Sequence, residues 1–130
     1  MKETAYGHIG STETVAEVRL ATSESGRVEE LVRDYFSDIP IMVEVARCES
    51  TFRHTMDDGS VLRGVVDKRD TGVMQINTYY HQGYADDLEL DLEDFYHNMA
   101  YARHLYERQG IQPWNASRPC WGKSHIAMAN

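Results

Sequence analysis

The chain has 130 residues, 42% of them hydrophobic and 26% charged, an ordinary composition for a globular domain with one modest core. Its formal net charge is −8, with 21 acids against 13 Lys and Arg, and no basic stripe is present to neutralise phosphates, which argues against a nucleic-acid binder. No apolar run approaches the roughly eighteen residues of a membrane span, and the opening stretch lacks the apolar core of a secretory signal, so export would use another route or a signal already removed.

Residues 1–24 are polar, rich in Thr, Ser, Glu and Gly, and predict a flexible arm or linker; the alternative is that Val15, Val18 and Leu20 pack loosely on the domain. The pattern changes at Arg27. Val28, Leu31, Val32, Tyr35 and Phe36 form one face of an amphipathic helix, with Ser25 placed to cap it. Pro40 breaks that period and suits the first turn of a second helix, with Asp38 as the nearby cap. Along this second helix Ile41, Met42, Val45 and then Cys48 or Glu49 share a stripe, which turns Glu49 toward protein rather than water.

Residues 53–72 contain the turn signals Asp57-Asp58-Gly59 and Gly64, with the apolar pairs Val61-Leu62 before Gly64 and Val65-Val66 after it, and predict a small β-hairpin or irregular lobe. Val73–Asn77 is too short to assign by period. The longest helix is expected from Leu92 to Gln109, capped by Asp91 and stopped by Gly110, with Leu92, Phe95, Met99, Ala102 and Tyr106 on its core face. The tail from Pro113 to Trp121 reads as aromatic and irregular. The expected fold is one domain over 25–130, mainly α with a small β element.

Glu49 is the residue whose setting suggests chemistry. A carboxylate at the end of an apolar stripe is disfavoured in its charged form, so its pKa should rise. A carboxylic acid held protonated near neutral pH is what a leaving glycosidic oxygen requires. The plainer alternative is a glutamate that reaches water, or Arg47 or Arg53, and on pattern alone that alternative prevails. Cys48 and Cys120 lack zinc-site spacing, and by count a disulfide and two buried thiols are equally open.

Four segments in order carry a resemblance. Glu49-Ser50-Thr51-Phe52 looks like the E-S-x-F signature of the lytic transglycosylase (SLT-type) and goose-type lysozyme superfamily. Gly72-Val73-Met74-Gln75-Ile76-Asn77 resembles its G-L-M-Q-I motif, and Asn98-Met99-Ala100-Tyr101 its later helix motif. Pro113, Trp114, Ser117, Cys120 and Trp121 resemble the ending of a small secreted branch.

The resemblance implies a lysozyme-like, two-lobed fold with Glu49 in the cleft as sole general acid and base. The substrate would be the β-1,4 bond between N-acetylmuramic acid and N-acetylglucosamine in peptidoglycan, cleaved non-hydrolytically to a 1,6-anhydro product. It further implies substrate contacts from Ser50, Met74, Gln75, Asn77, Asn98 and Tyr101, and a Cys48–Cys120 disulfide. Read as residues alone, Ser50 serves equally as a helix cap, Met74 and Tyr101 are more often core, and Asn98 more often has a structural partner.

Two departures stand out. Where the motif has small residues, this chain has Asp67-Lys68-Arg69-Asp70-Thr71, which makes Asp70 a candidate second carboxylate to activate water. A turn residue bonding its own backbone is the favoured reading of Asp70. The late A-Y-N-A-G segment is absent, Trp114-Asn115-Ala116-Ser117 standing roughly there, so its tyrosine has no counterpart. His81 is expected to be structural or superficial. The implied protein is a monomer without cofactor or metal, secreted, periplasmic or wall-associated, binding its glycan through short-range contacts because its acidity repels anionic wall polymers. Rival expectations are a hydrolytic lysozyme, a chitinase-like glycosidase and a non-catalytic glycan-binding module.

Overall fold

A computed structural model describes residues 24–129. The arm expected over 1–24 therefore lies outside the described residues, apart from Glu24. The chain is mainly helical with a small antiparallel sheet. In order come α1 (Glu24–Tyr35), α2 (Pro40–Ser50), β1 (Asp70–Thr71), β2 (Ile76–Asn77), α3 (Thr78–Asp87), α4 (Phe95–Gln109), a 3-10 helix (Gln112–Ser117) and α5 (Arg118–Ala129).

Helix α1 buries Val28, Val32 and Phe36, the stripe its spacing predicts, and starts early enough to place Ser25 inside it rather than at its cap. Pro40 opens α2 as expected, since a missing N–H costs nothing in a first turn. Asp38 does not cap α2: the residue before the helix is Ile39, with no side-chain cap. Asp38 instead accepts from Arg103 of α4, at 2.9 and 3.0 Å, while the same guanidinium donates to the Tyr35 carbonyl at 2.7 Å and lies 5.0 Å over the Tyr35 ring. A bidentate cation clamps the α1–α2 turn onto α4.

Residues 53–69 are irregular, joined only by the bridges Thr55↔Val61 and Arg63↔Thr71 rather than by a continuous hairpin. The ladder that does form pairs Asp70 with Asn77 and Thr71 with Ile76, across a turn over Gly72–Gln75. Helix α3 was not expected. Only Ala85 is buried along it, so it carries no apolar period, and its start is set by Asn77, whose side chain accepts the Tyr79 N–H at 2.9 Å.

Helix α4 begins at Phe95 and is capped by Asp94, which accepts the His97 N–H at 3.0 Å. Asp91, the expected cap, lies one turn earlier and accepts from Glu93 N–H. Gly110 ends α4 at φ 67, as expected. Its buried face is Asn98, Met99, Tyr101, Ala102 and Leu105, with Phe95 and Tyr106 half-buried at its edges.

The tail is helical, contrary to its irregular appearance in sequence. It is anchored by two buried indoles: Trp114 donates from Nε1 to the Met74 carbonyl (3.1 Å) and Trp121 to the Trp114 carbonyl (3.0 Å). A disulfide joins Cys48 to Cys120, 72 residues on, and ties α5 to the last turn of α2. Among the described residues, no helix is long and apolar enough to cross a membrane.

Candidate active site

Glu49 stands in the last turn of α2, half-buried. Burial pushes its carboxyl above the ordinary glutamate range, and the charge of Asp70 pushes the same way. The opposing influence is Ser117, whose hydroxyl donates to Glu49 Oε2 at 2.7 Å. Glu49 Oε1 has no hydrogen-bond partner among the described residues, and no buried side-chain oxygen among them is left unpaired. Among the described residues Oε2 is held by Ser117 and Oε1 is not bonded.

The structure brings Asp70 into this neighbourhood. Its own carboxyl is raised, chiefly by burial, against a hydrogen bond that Asn77 Nδ2 donates to Oδ1 at 3.0 Å. Asp70 is not the residue that bonds the turn's own backbone. That part belongs to Asp67, which accepts the Arg69 N–H at 2.9 Å and the Arg69 guanidinium at 3.0 and 3.1 Å, and is held well below the usual carboxylate range. Asn77 bridges both acids and caps α3, so its side chain is fully engaged in the frame.

The Gly72–Gln75 turn is locked from two sides. Asn98, with no exposed surface, accepts the Met74 N–H and donates to the Thr71 and Leu92 carbonyls, each at 2.9 Å. His54 accepts the Val73 N–H on Nδ1 (3.0 Å) and bonds the Glu93 carbonyl through Nε2 (2.7 Å), partners that fix the neutral tautomer with its proton on Nε2. Gly72, at φ 76, fits between them: a Cβ there would meet Asn98 Nδ2 at 2.5 Å and His54 Cε1 at 2.7 Å.

The expected substrate contacts therefore divide. Asn98 and Met74 have no exposed side-chain surface and belong to the core. Ser50 is buried, donates to the Ala46 carbonyl at 3.0 Å and accepts from Arg53 N–H, closing its helix rather than facing Glu49. Tyr101 is buried with its hydroxyl bonded to His81 Nδ1 at 2.9 Å, not to Glu49. Gln75 stays half-exposed at φ 53, its Nε2 on the Gly72 carbonyl (2.9 Å) and its Oε1 beside Gly64.

His81 is partly buried, which lowers its pKa and favours the neutral ring. With Tyr84, Tyr101, His104 and Arg108 it lines a cavity of about 430 Å³ between α3 and α4. Among the described residues no three His, Cys, Asp or Glu side chains converge as metal ligands would.

Two residues at this site escaped the sequence reading as functional candidates. His54 has no local signature. Ser117 was visible only as part of an ending, and its meaning depends on the disulfide three residues later, which folds it back onto Glu49. No family model, curated protein or solved structure matches the chain.

Proposed function

We propose that the chain cleaves the β-1,4 bond between N-acetylmuramic acid and N-acetylglucosamine in peptidoglycan, with Glu49 as general acid and then base. The observation that carries this reading is Glu49 itself: a half-buried carboxyl biased toward its protonated form, with one oxygen tethered by Ser117 and the other unbonded among the described residues. A proton donor for a leaving sugar oxygen needs that combination of retained proton and unbonded oxygen.

In the proposed reaction the Glu49 proton moves to the bridging oxygen as the C1–O bond breaks, and positive charge develops at the muramic C1. The C6 hydroxyl of the same sugar then bonds to C1, and its proton passes to the Glu49 carboxylate, which restores the acid. The internal nucleophile outcompetes water because it is held close. Asp70 contributes as a nearby negative charge that favours the protonated acid before the step and complements the cationic centre during it. The lobe containing residues 53–77 and the helical body would flank the glycan as in a lysozyme-like, two-lobed fold. A wall substrate matches the disulfide, which persists in oxidising surroundings outside the cytoplasm. The protein would act as a monomer.

A second reading, hydrolysis by a water that Asp70 activates, draws on the electrostatic reach of Asp70 to Glu49. Zymography on purified peptidoglycan tests the shared core of both: wild type should clear the gel, and E49Q, nearly isosteric but unable to donate the proton, should not. Clearing by folded E49Q at a rate within a few-fold of wild type would exclude Glu49 as the acid.

A further inference from the structure

We propose that Ser117 is a positioning residue for Glu49, its hydroxyl donating to Oε2 in both protonation states, so that Oε1 is the oxygen that carries the proton and is presented to the substrate. The inference rests on the reading of Glu49 as the catalytic acid. Its basis is a geometry with one hydrogen and two acceptors. Ser117 Oγ lies 2.7 Å from Glu49 Oε2 and 3.1 Å from the Trp114 carbonyl.

When Glu49 is ionised, the Ser117 hydrogen points to Oε2, a charge-assisted bond. When Glu49 is protonated, the proton sits on Oε1, and Oε2, now a carbonyl oxygen, still accepts the Ser117 hydrogen, more weakly than the carboxylate does. The Trp114 carbonyl, the other acceptor within reach of Ser117 at 3.1 Å, already receives the Trp121 indole N–H at 3.0 Å, which leaves the serine hydrogen to Glu49. A hydroxyl suits this part because it donates to Oε2 without placing a positive charge beside the acid, as an ammonium would. During turnover the carboxyl loses and regains its proton without turning, so the acid and base steps use the same geometry.

Among the described residues, the charges near the pair other than Asp70 are engaged elsewhere. Asp70 acts on Glu49; Arg118 of α5 lies over the Trp121 ring at 5.8 Å, Arg47 pairs with Glu44 on α2, and Glu29 and Arg33 of α1 pair with each other. Ser117 is thus the neutral partner that opposes burial and the Asp70 charge. Its position depends on the 3-10 helix, whose end the disulfide fastens to α2 beside Glu49.

The test follows the Glu49 side-chain carboxyl by NMR across pH in the full chain, beside the pH–rate profile on purified peptidoglycan. In S117A the Glu49 midpoint should move upward, kcat should fall on the order of 10- to 100-fold and KM should stay within about twofold. S117T, which keeps the hydroxyl, should return the midpoint and most of the rate. An unmoved Glu49 midpoint in folded S117A, or an unchanged S117A pH–rate profile, would overturn the proposal. A Glu49 midpoint that moves in S117A while the wild-type protein cleaves no peptidoglycan would uphold the tether and sink the enzymatic reading instead.

Discussion

Asn98 Oδ1 accepts the main-chain N–H of Met74 at 2.9 Å, so a side chain on α4 holds the turn that begins beside Asp70. The same amide donates to the Thr71 and Leu92 carbonyls, and all of it is shielded from water. N98A would remove three buried hydrogen bonds, to the Met74 N–H and the Thr71 and Leu92 carbonyls, although Thr71 keeps its ladder pairing with Ile76; each buried group left unpaired costs about 1–3 kcal/mol. The expected loss of stability is about 3–5 kcal/mol, a large share of what a domain of this size holds. Urea unfolding measures it, and a loss below about 1 kcal/mol would show that water replaces the amide.

The disulfide should matter as much. In the chain-entropy account, closing a loop across 72 residues contributes on the order of 4 kcal/mol, an upper figure since denatured-state structure reduces it. Reduction, or replacement of both cysteines by serine, should lower Tm by about 10 °C or more. It should also weaken cleavage at temperatures where the fold survives, because Ser117 is three residues from Cys120. A reduced protein with unchanged Tm and activity would show that the buried Trp114 and Trp121 hold the tail unaided.

Glu49 sets a pH dependence of defined sign. Unfolded, it titrates near 4.5; folded, its pKa is raised by burial and then by Asp70. Between the two values the folded protein keeps a proton that the unfolded chain has released, so stability falls as pH rises through that window and stays lower above it. E49Q cannot ionise and should melt above wild type at pH 8, the difference closing toward pH 4. Cleavage should fade over the same rise in pH as the acid form is lost. Thermal melts of both proteins across pH check the first statement, and a difference of opposite sign would contradict it.

D70N removes the charge that acts on Glu49 and should bring the Glu49 midpoint down toward the ordinary glutamate value. Anhydro products should persist, with a rate loss of tenfold or less, because water activation is not part of the proposed reaction. A loss of several orders of magnitude would favour the hydrolytic reading. Product analysis of D70N digests separates the two.

Much of this arrangement was legible in the sequence, for reasons that differ by element. The α1 stripe and the Pro40 start follow from spacing and from proline's missing N–H, both local facts. Gly110 as a stop is local too. Helix α3 was invisible because one buried residue makes no period. The caps Asp38 and Asp91 failed for a tertiary reason in the first case and a local one in the second: Asp38 is claimed by Arg103 from across the fold, whereas Asp94 lay closer to the true start of α4. Likewise Asn98 and Met74 stood in a recognisable motif, yet only packing shows that they support the turn from inside. The apolar stripe of α2 marked Glu49 as an inward-turned acid, and the motif resemblance, not the stripe, singled it out for chemistry. Its partner Ser117, 68 residues away, required the fold.

The most direct test of the central claim is the mass of the products released from purified peptidoglycan by wild-type protein, with E49Q as control. The account predicts muropeptides ending in 1,6-anhydro-N-acetylmuramic acid, one water lighter than hydrolysis products, and none from E49Q. Reducing-end products one water heavier would contradict the non-hydrolytic step, and no release of glycan fragments by folded wild-type protein would contradict glycan cleavage altogether.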